Sequence, residues 1–239
     1  MNQINTYNPT SETRQIRPSR RLARFPQALS IGLDSVESGE RQELEACIAA
    51  KFEQQYRAQI NHFLPYLLSL SESDDLGAVV GMRLAAESEL FLERYIESRV
   101  EQAISRVVCS PIDRAQIVEI GNLASVVPGT APILFAVLAT VLNKAGFRWV
   151  VCTATPQVRS MLDKMEFPWQ AICSADPAVL GDQAGDWGSY YATRPQVIVG
   201  DIRHAIESAA SSRAISALIS NLAQPVRETA ARLREAAQK

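Results

Sequence analysis

The chain has 239 residues, a formal net charge of −2, 47% hydrophobic residues, four cysteines and two histidines. That size allows one domain with appendages and a full apolar core. The charge gives no general attraction to nucleic acid or anionic membrane, and the longest apolar run, around residues 131–142, is too short to span a bilayer.

Residues 1–24 read as a flexible basic tail, with Arg14, Arg17, Arg20, Arg21 and Arg24 and no apolar periodicity. The polar start lacks the apolar stretch of a signal peptide. Cys47, Cys109, Cys152 and Cys173 are widely spaced, with no CxxC, and read as reduced core residues rather than metal ligands. A cytoplasmic location is expected. Residues 25–33 are expected to form a first strand. Residues 38–70 read as a helix, with Ser38 as its cap, Leu44, Ile48, Phe52, Tyr56 and Ile60 at helical spacing, and Pro65 as a kink or stop. Residues 71–77 form a turn. Residues 78–84 and 90–96 read as two strands of an antiparallel hairpin, and residues 98–109 as a short amphipathic helix.

The stretch from 117 to 155, IVEIGNLASVVPGTAPILFAVLATVLNKAGFRWVVCTAT, organises the chain. It predicts a strand over 117–124, a loop with Pro128 and Gly129, a buried helix over 133–144, a stop at Gly146 and a strand over 149–153. Pro132 suits the first helical turn, with Thr130 available as a cap. Together these make a right-handed βαβ crossover whose loop and helix start offer free backbone amides. Then come a helix over 156–165, strands over 167–172 and 196–202, and a mostly helical extension over 204–239 interrupted near Pro225. The element order describes an α/β protein with a mixed sheet.

The motifs VEIGNLAS, PGTA and WVVCTAT, with LFLERY before them and WGSYY after, resemble the thermostable hemolysin family over roughly residues 40–203. The element order is also similar to the GNAT acyltransferase superfamily, in particular autoinducer synthases and N-acyl amino acid synthases. That resemblance implies a GNAT-like mixed sheet flanked by helices over residues 25–203. The strands matching 117–124 and 149–153 would splay, with an acyl thioester in the gap. The expected chemistry is transfer of a fatty acyl group from a carrier-bound thioester to a small amine. An acyl carrier protein or acyl-CoA would be the donor and partner, with no tightly bound cofactor and no metal. A homodimer stays open, as do a membrane-active hemolysin and a non-catalytic binding protein.

Acyl transfer needs a polarised carbonyl, a base for the amine and a groove for the chain. Glu119, in an otherwise apolar strand, is the first candidate base; a structural partnership with Arg83 or Arg94 is the competing reading. Glu93 is a second carboxylate within a β pattern. Asn122 joins Glu119 on one face only if a bulge near Gly121 intervenes. Leu123, Ala124 and Ser125 would offer amides to the carbonyl, and Gly129, Thr130 and Ala131 would cover the phosphate of the pantetheine arm. Residues 133–142 and 149–152 would line the acyl groove. The resemblance leaves two gaps. Val126 stands where the superfamily's phosphate loop starts with Arg or Gln, which favours a carrier protein over coenzyme A. Leu162 stands where a tyrosine usually protonates the thiolate, so either Tyr190 or Tyr191 supplies the acid or none is needed.

Overall fold

The computed structural model describes residues 29–73 and 75–237. The arginine-rich segment and residues 25–28 lie outside the described residues. Among the described residues seven strands form one sheet in the order β1-β2-β3-β4-β5-β7-β6. They are β1 (Leu29–Asp34), β2 (Tyr66–Glu72), β3 (Asp75–Leu84), β4 (Ile117–Ser125), β5 (Trp149–Ala154), β6 (Trp169–Ser174) and β7 (Gln196–Asp201). All neighbours pair antiparallel except β4 and β5, which are parallel.

One sheet face carries the central helix α3 (Thr130–Ala145), which is apolar nearly all round and buries Leu134, Phe135, Leu138 and Leu142. Its end at Gly146 (φ 99°) is left-handed, as the stop signal predicts. Three C-terminal helices pack on α3: α5 (Ile202–Ser211), α6 (Arg213–Asn221) and α7 (Ala223–Ala236). Leu218, Leu222, Val226, Ala230 and Leu233 are buried in the same core as α3 and the sheet, so this extension shares the core of the domain. The breaks fall at Ser212 and Leu222; Pro225 sits in the first turn of α7, where its missing N–H costs nothing. The opposite face carries α1 (Arg41–Tyr56) and α2 (Val100–Val108). The remaining helix, α4 (Pro156–Lys164), follows β5 and is capped by Thr155.

Two expected elements are different. The predicted helix over 38–70 ends at Arg57, and residues 66–72 form β2, which pairs with β3 as the real hairpin. Arg41, 6% exposed, explains the switch: its guanidinium donates to the carbonyls of Leu64 (2.7 Å) and Pro65 (2.7 Å), which fixes the chain leading into β2. Ser38 is not the helix cap; it accepts from Ser35 N–H in the preceding turn, and Glu40 precedes the helix. The predicted strand over 90–96 is a 3₁₀ segment, Phe91–Tyr95. No helix among the described residues is long and apolar enough to cross a membrane.

Because α3 is packed on both the sheet and the C-terminal helices, Leu138→Ala is expected to cost about 2–5 kcal/mol, read by urea unfolding. A cost below about 1 kcal/mol would mean that the cavity beside Leu138 already relieves the packing there.

Candidate active site

Strands β4 and β5 are paired only from Ile117↔Trp149 to Ile120↔Cys152. Beyond that point β4 follows β3 to Ser125, and β5 follows β7 to Ala154. The sheet therefore opens in a V, and among the described residues the β5-facing edge of Gly121–Ser125 has no strand partner. A bulge helps to part the strands. Val79 faces Ala124 and Gly81 faces Gly121, so β4 holds one extra residue, with Asn122 at φ 50°. The bulge turns Asn122 to the face of Gly81 and Glu119. There its Oδ1 accepts from Leu64 N–H at 2.9 Å. A side chain on Gly81 would meet Asn122 Oδ1 and Leu64 Cβ at 3.0 Å, so the bare backbone makes room for this contact.

Glu119 is 4% exposed on that face. Its oxygens accept from Phe91 N–H and Leu92 N–H, each at 2.9 Å, and the Arg83 guanidinium lies 3.9 Å away. Burial raises its pKa above the ordinary range, against the pull of the two amides and Arg83. Glu93 is held differently. It accepts from Leu90 N–H and Val100 N–H at 2.9 Å, and from Arg114 at 2.7 and 2.9 Å. Burial pushes its carboxyl up, but Arg114 and the amides outweigh this and bring it to about 2. The two carboxylates thus gather the amides of one 3₁₀ turn and its flanks. This is why Leu90–Ile96 is not a strand. Arg114, which carries no sequence motif, completes the arrangement and also contacts Glu101 at 2.9 Å. The glutamate three residues after Leu90, as in a capping box, is the local signal for the turn.

Tyr190 is buried in an aromatic cluster with Phe52, Tyr56, Trp187 and Tyr191, at centroid distances of 5.1 to 6.4 Å. Its hydroxyl donates to the carbonyl of Thr153 (3.0 Å), just past the last β4–β5 pair. Burial, reinforced by Tyr191, raises its pKa well above the usual value, so Tyr190 can donate a hydrogen bond but holds its proton. The Tyr191 hydroxyl is paired with that of Tyr95.

The loop after β4 is tied down at one end and open at the other. Val126 N–H and Val127 N–H both donate to Gly77 O, at 2.9 and 3.1 Å. The Thr130 hydroxyl bridges Gly77 O, Val127 O and Ser125 Oγ. Thr130 is the first helical residue, and the cap position belongs to Gly129 at φ 88°, with no heavy atom within 4 Å of where a side chain would start. The first-turn amides of α3 beside Gly129 and Ala131 lie at the positive end of a 16-residue helix. Leu123 packs against the main core, Ala124 is fully buried, and Ser125 pairs with Ala78 at the end of β4.

An apolar cavity borders the point where the strands part. It holds about 50 Å³ of space for water-sized occupants and is bordered by Ile120, Cys152, Phe135 and Leu138, which are buried, and by Trp169 and Ala205, which are partly exposed. Of the residues expected to line an acyl groove, Phe135, Leu138, Ala139 and Leu142 of α3, with Val150 and Cys152, border this cavity. Trp149 and Val151 belong to the cluster on the opposite face, as strand alternation requires. Leu162, at the missing-tyrosine position, is another apolar wall residue. Phe167, Trp169 and Ala205 escape sequence reading because the β6 edge and α5 join the cavity only through the tertiary fold.

A mixed sheet that opens in a V beside a glycine-led helix start, with helices on both faces, is the GNAT-like acyltransferase fold. The chain belongs to the thermostable hemolysin family, whose sequence model matches residues 35–206. No curated protein matches the chain. Among solved structures the chain is similar to FeeM, an N-acyl amino acid synthase from uncultured soil microbes, with TM-score 0.51, 14% identity, and coverage of 77% of this chain and 95% of that one. It is also similar to BjaI, a CoA-dependent acyl-homoserine lactone synthase bound to MTA, with TM-score 0.52, 12% identity, and coverage of 75% and 87%. The acyl-homoserine lactone synthase LasI gives TM-score 0.50 and 12% identity, with coverage of 73% and 90%.

Proposed function

We propose that the protein is an N-acyltransferase that moves a fatty acyl group from a carrier-bound thioester to a small amine. The observation that carries this reading is the coincidence of two features at one residue pair. At Ile120 and Cys152 the sheet opens, and the same pair borders the apolar cavity. A thioester lying in the V would put its carbonyl beside the unpartnered edge of Leu123–Ser125 and its chain into the cavity. Backbone N–H groups at that edge would stabilise the tetrahedral oxyanion. Glu119 is assigned as the base for the amine, with Asn122 on the same face, and Tyr190, its O–H turning from the Thr153 carbonyl, as the hydrogen-bond donor to the departing thiolate. Glu93 is assigned a positioning role, because Arg114 and the amides hold its carboxyl at about 2, too weak a base for an amine, whereas burial raises that of Glu119.

Mass spectrometry of lipid extracts from cells producing the protein or its Glu119→Gln variant tests this. An N-acyl amine present only with the native protein is expected. Its absence, combined with lysis of erythrocytes by the purified protein without any donor or acceptor, would favour direct membrane action instead.

The donor is assigned as a carrier protein. Val126 supplies no charge, and the amides of Val126 and Val127 are spent on Gly77. Thr130 N–H is spent on Val127 O, and the amides left, at Gly129 and Ala131, suit one phosphate better than a pyrophosphate. Calorimetry is expected to show coenzyme A binding weakly, while acylated carrier protein supports turnover that Gly129→Asp abolishes. Tight coenzyme A binding lost in Gly129→Asp would reverse the donor assignment.

A further inference from the structure

We infer that the end of α1, with Tyr190, is a brace across the open end of the V, which fixes how far β4 and β5 stand apart before any donor arrives. Its use to an acyl donor rests on the acyl-transfer reading; its mechanical role does not. The four pairs from Ile117↔Trp149 to Ile120↔Cys152 join the strands but do not set the gap beyond them. The bulge at Asn122 bends β4, but its tie is to Leu64 rather than to β5.

Contacts on the α1 face span the gap instead. Helix α1 packs on β2 and β4, in one half of the sheet, while α4 packs on β5, in the other. At the exposed rim, Gln55 Nε2 donates to Tyr56 Oη at 2.9 Å and to Gln157 Oε1 at 3.0 Å. The two hydrogens of one amide thus join the last turn of α1 to the first turn of α4. Beside them the Tyr56 hydroxyl faces the side chain of Thr155, the cap of α4. Deeper, Tyr190 lies in the same buried cluster as Ala124 of β4, while its hydroxyl holds Thr153 O of β5 at 3.0 Å. Thr153 is the first residue of β5 past the last β4–β5 pair, so this contact sits where the strands part.

The brace is seated on main-chain atoms. Residues 187–190 make a tight turn, closed by Tyr190 N–H donating to Trp187 O at 3.0 Å, with Gly188 in its second position at φ 50° and ψ −123°, which suits glycine. A side chain on Gly188 would collide with Tyr56 O and Arg57 O, so the turn lies directly on the end of α1. Ser189 N–H donates to Tyr56 O at 2.8 Å, and Gln59 N–H to Asp186 O at 2.7 Å. The same segment runs on into β7, which pairs with β5. One end of the brace is therefore fixed on α1, and the other is continuous with the β5 half of the sheet.

Hydrogen exchange of the full chain, with nothing bound, tests the brace. Gln157→Ala removes the rim contact and Tyr190→Phe the inner one. Each is expected to speed exchange at residues 117–120 and 149–152 by about twofold to tenfold, the worth of one hydrogen bond, while β1 and β2 keep their native rates. Gln157→Glu keeps an acceptor for Gln55 and is expected to restore the native rate. Calorimetric titration with octanoyl-pantetheine reads the consequence for a donor. Gln157→Ala is expected to weaken the probe by about the same factor, and Gln157→Glu to leave it unchanged. Native exchange in both Gln157→Ala and Tyr190→Phe overturns the brace. Faster exchange throughout the sheet, β1 and β2 included, overturns it too, because that is a general loss of stability. Faster exchange confined to 117–120 and 149–152, with unchanged affinity for the probe, overturns its use to the donor. Failure of the probe to bind the native protein counts against the acyl-transfer reading alone, since the exchange result decides the brace without it.

Discussion

Glu93→Ala is expected to destabilise the protein by about 3–5 kcal/mol, the range for breaking one side of a buried ion pair. On a chain of this size that lowers the melting temperature by on the order of 10 °C. The Glu93 side chain is 8% exposed and Arg114 16%, so removing the carboxylate leaves the guanidinium with Glu101 and the carbonyls of Ala85 and Ser88 as its partners. It also strands the amides of Leu90 and Val100, which no longer have their acceptor. The pH dependence has a definite sign. Because Arg114 and the amides hold Glu93 at about 2, below the ordinary 4.5, its contribution is complete above 4.5 and is lost as pH falls towards 2. Urea unfolding of the native protein and Glu93→Ala between pH 6 and 2.5 measures this, with the two curves converging at the acid end. A loss below about 1 kcal/mol at neutral pH would mean that water replaces the carboxylate easily and that the turn does not depend on it.

How the turn forms also shows where the sequence was readable. The βαβ unit was legible because each part has a strong local signal: apolar runs of the right length at 117–124 and 149–153, Pro128–Gly129 between, and Gly146 after the helix. The V was expected only through the family resemblance, but the bulge that accompanies it was marked by Gly121–Asn122. The segment 66–72 was misread because PYLLSL continues the helical spacing of α1, and the deciding contact comes from Arg41, more than 20 residues away. The segment 90–96 was misread because Leu, Phe, Tyr and Ile favour strands, while two carboxylates, one of them in a distant strand, collect its amides. Glu119 could be singled out as a charge in an apolar strand. That its partners would be Phe91 and Leu92 could not, because that depends on which loop the fold brings above β4.

Glu119→Gln is expected to lower the rate of acyl transfer by about 10²–10⁴-fold, the usual worth of a positioned general base. The substitution also replaces one acceptor oxygen by a donor NH₂, which opposes the N–H of either Phe91 or Leu92, so some loss of stability accompanies it. The pH profile separates the two effects. Burial holds the Glu119 carboxyl above its ordinary 4.5, so in acid the native rate falls as the base is protonated in a window above that value. The residual rate of Glu119→Gln is flat across the same window. A variant that is slow but keeps the native pH profile would place the base elsewhere and leave Glu119 as the clamp of the 91–95 turn. The effect on stability runs opposite to that of Glu93. With a raised folded-state pKa, Glu119 favours the native state most below 4.5, and that advantage is lost as pH rises through its folded value.

The parallel seam between β4 and β5 is four residue pairs long. On either side of it the strands are held by longer antiparallel ladders, from β1 through β4 and from β5 through β6. The sheet is thus two stiff panels on a short hinge, with α3, which runs from one panel to the other, as the strap across it. Hydrogen exchange should show this as two slow blocks divided by a faster line at residues 117–120 and 149–152. An occupant that touches both panels would slow that line selectively, so protection there would report occupancy of the cleft before any product is identified.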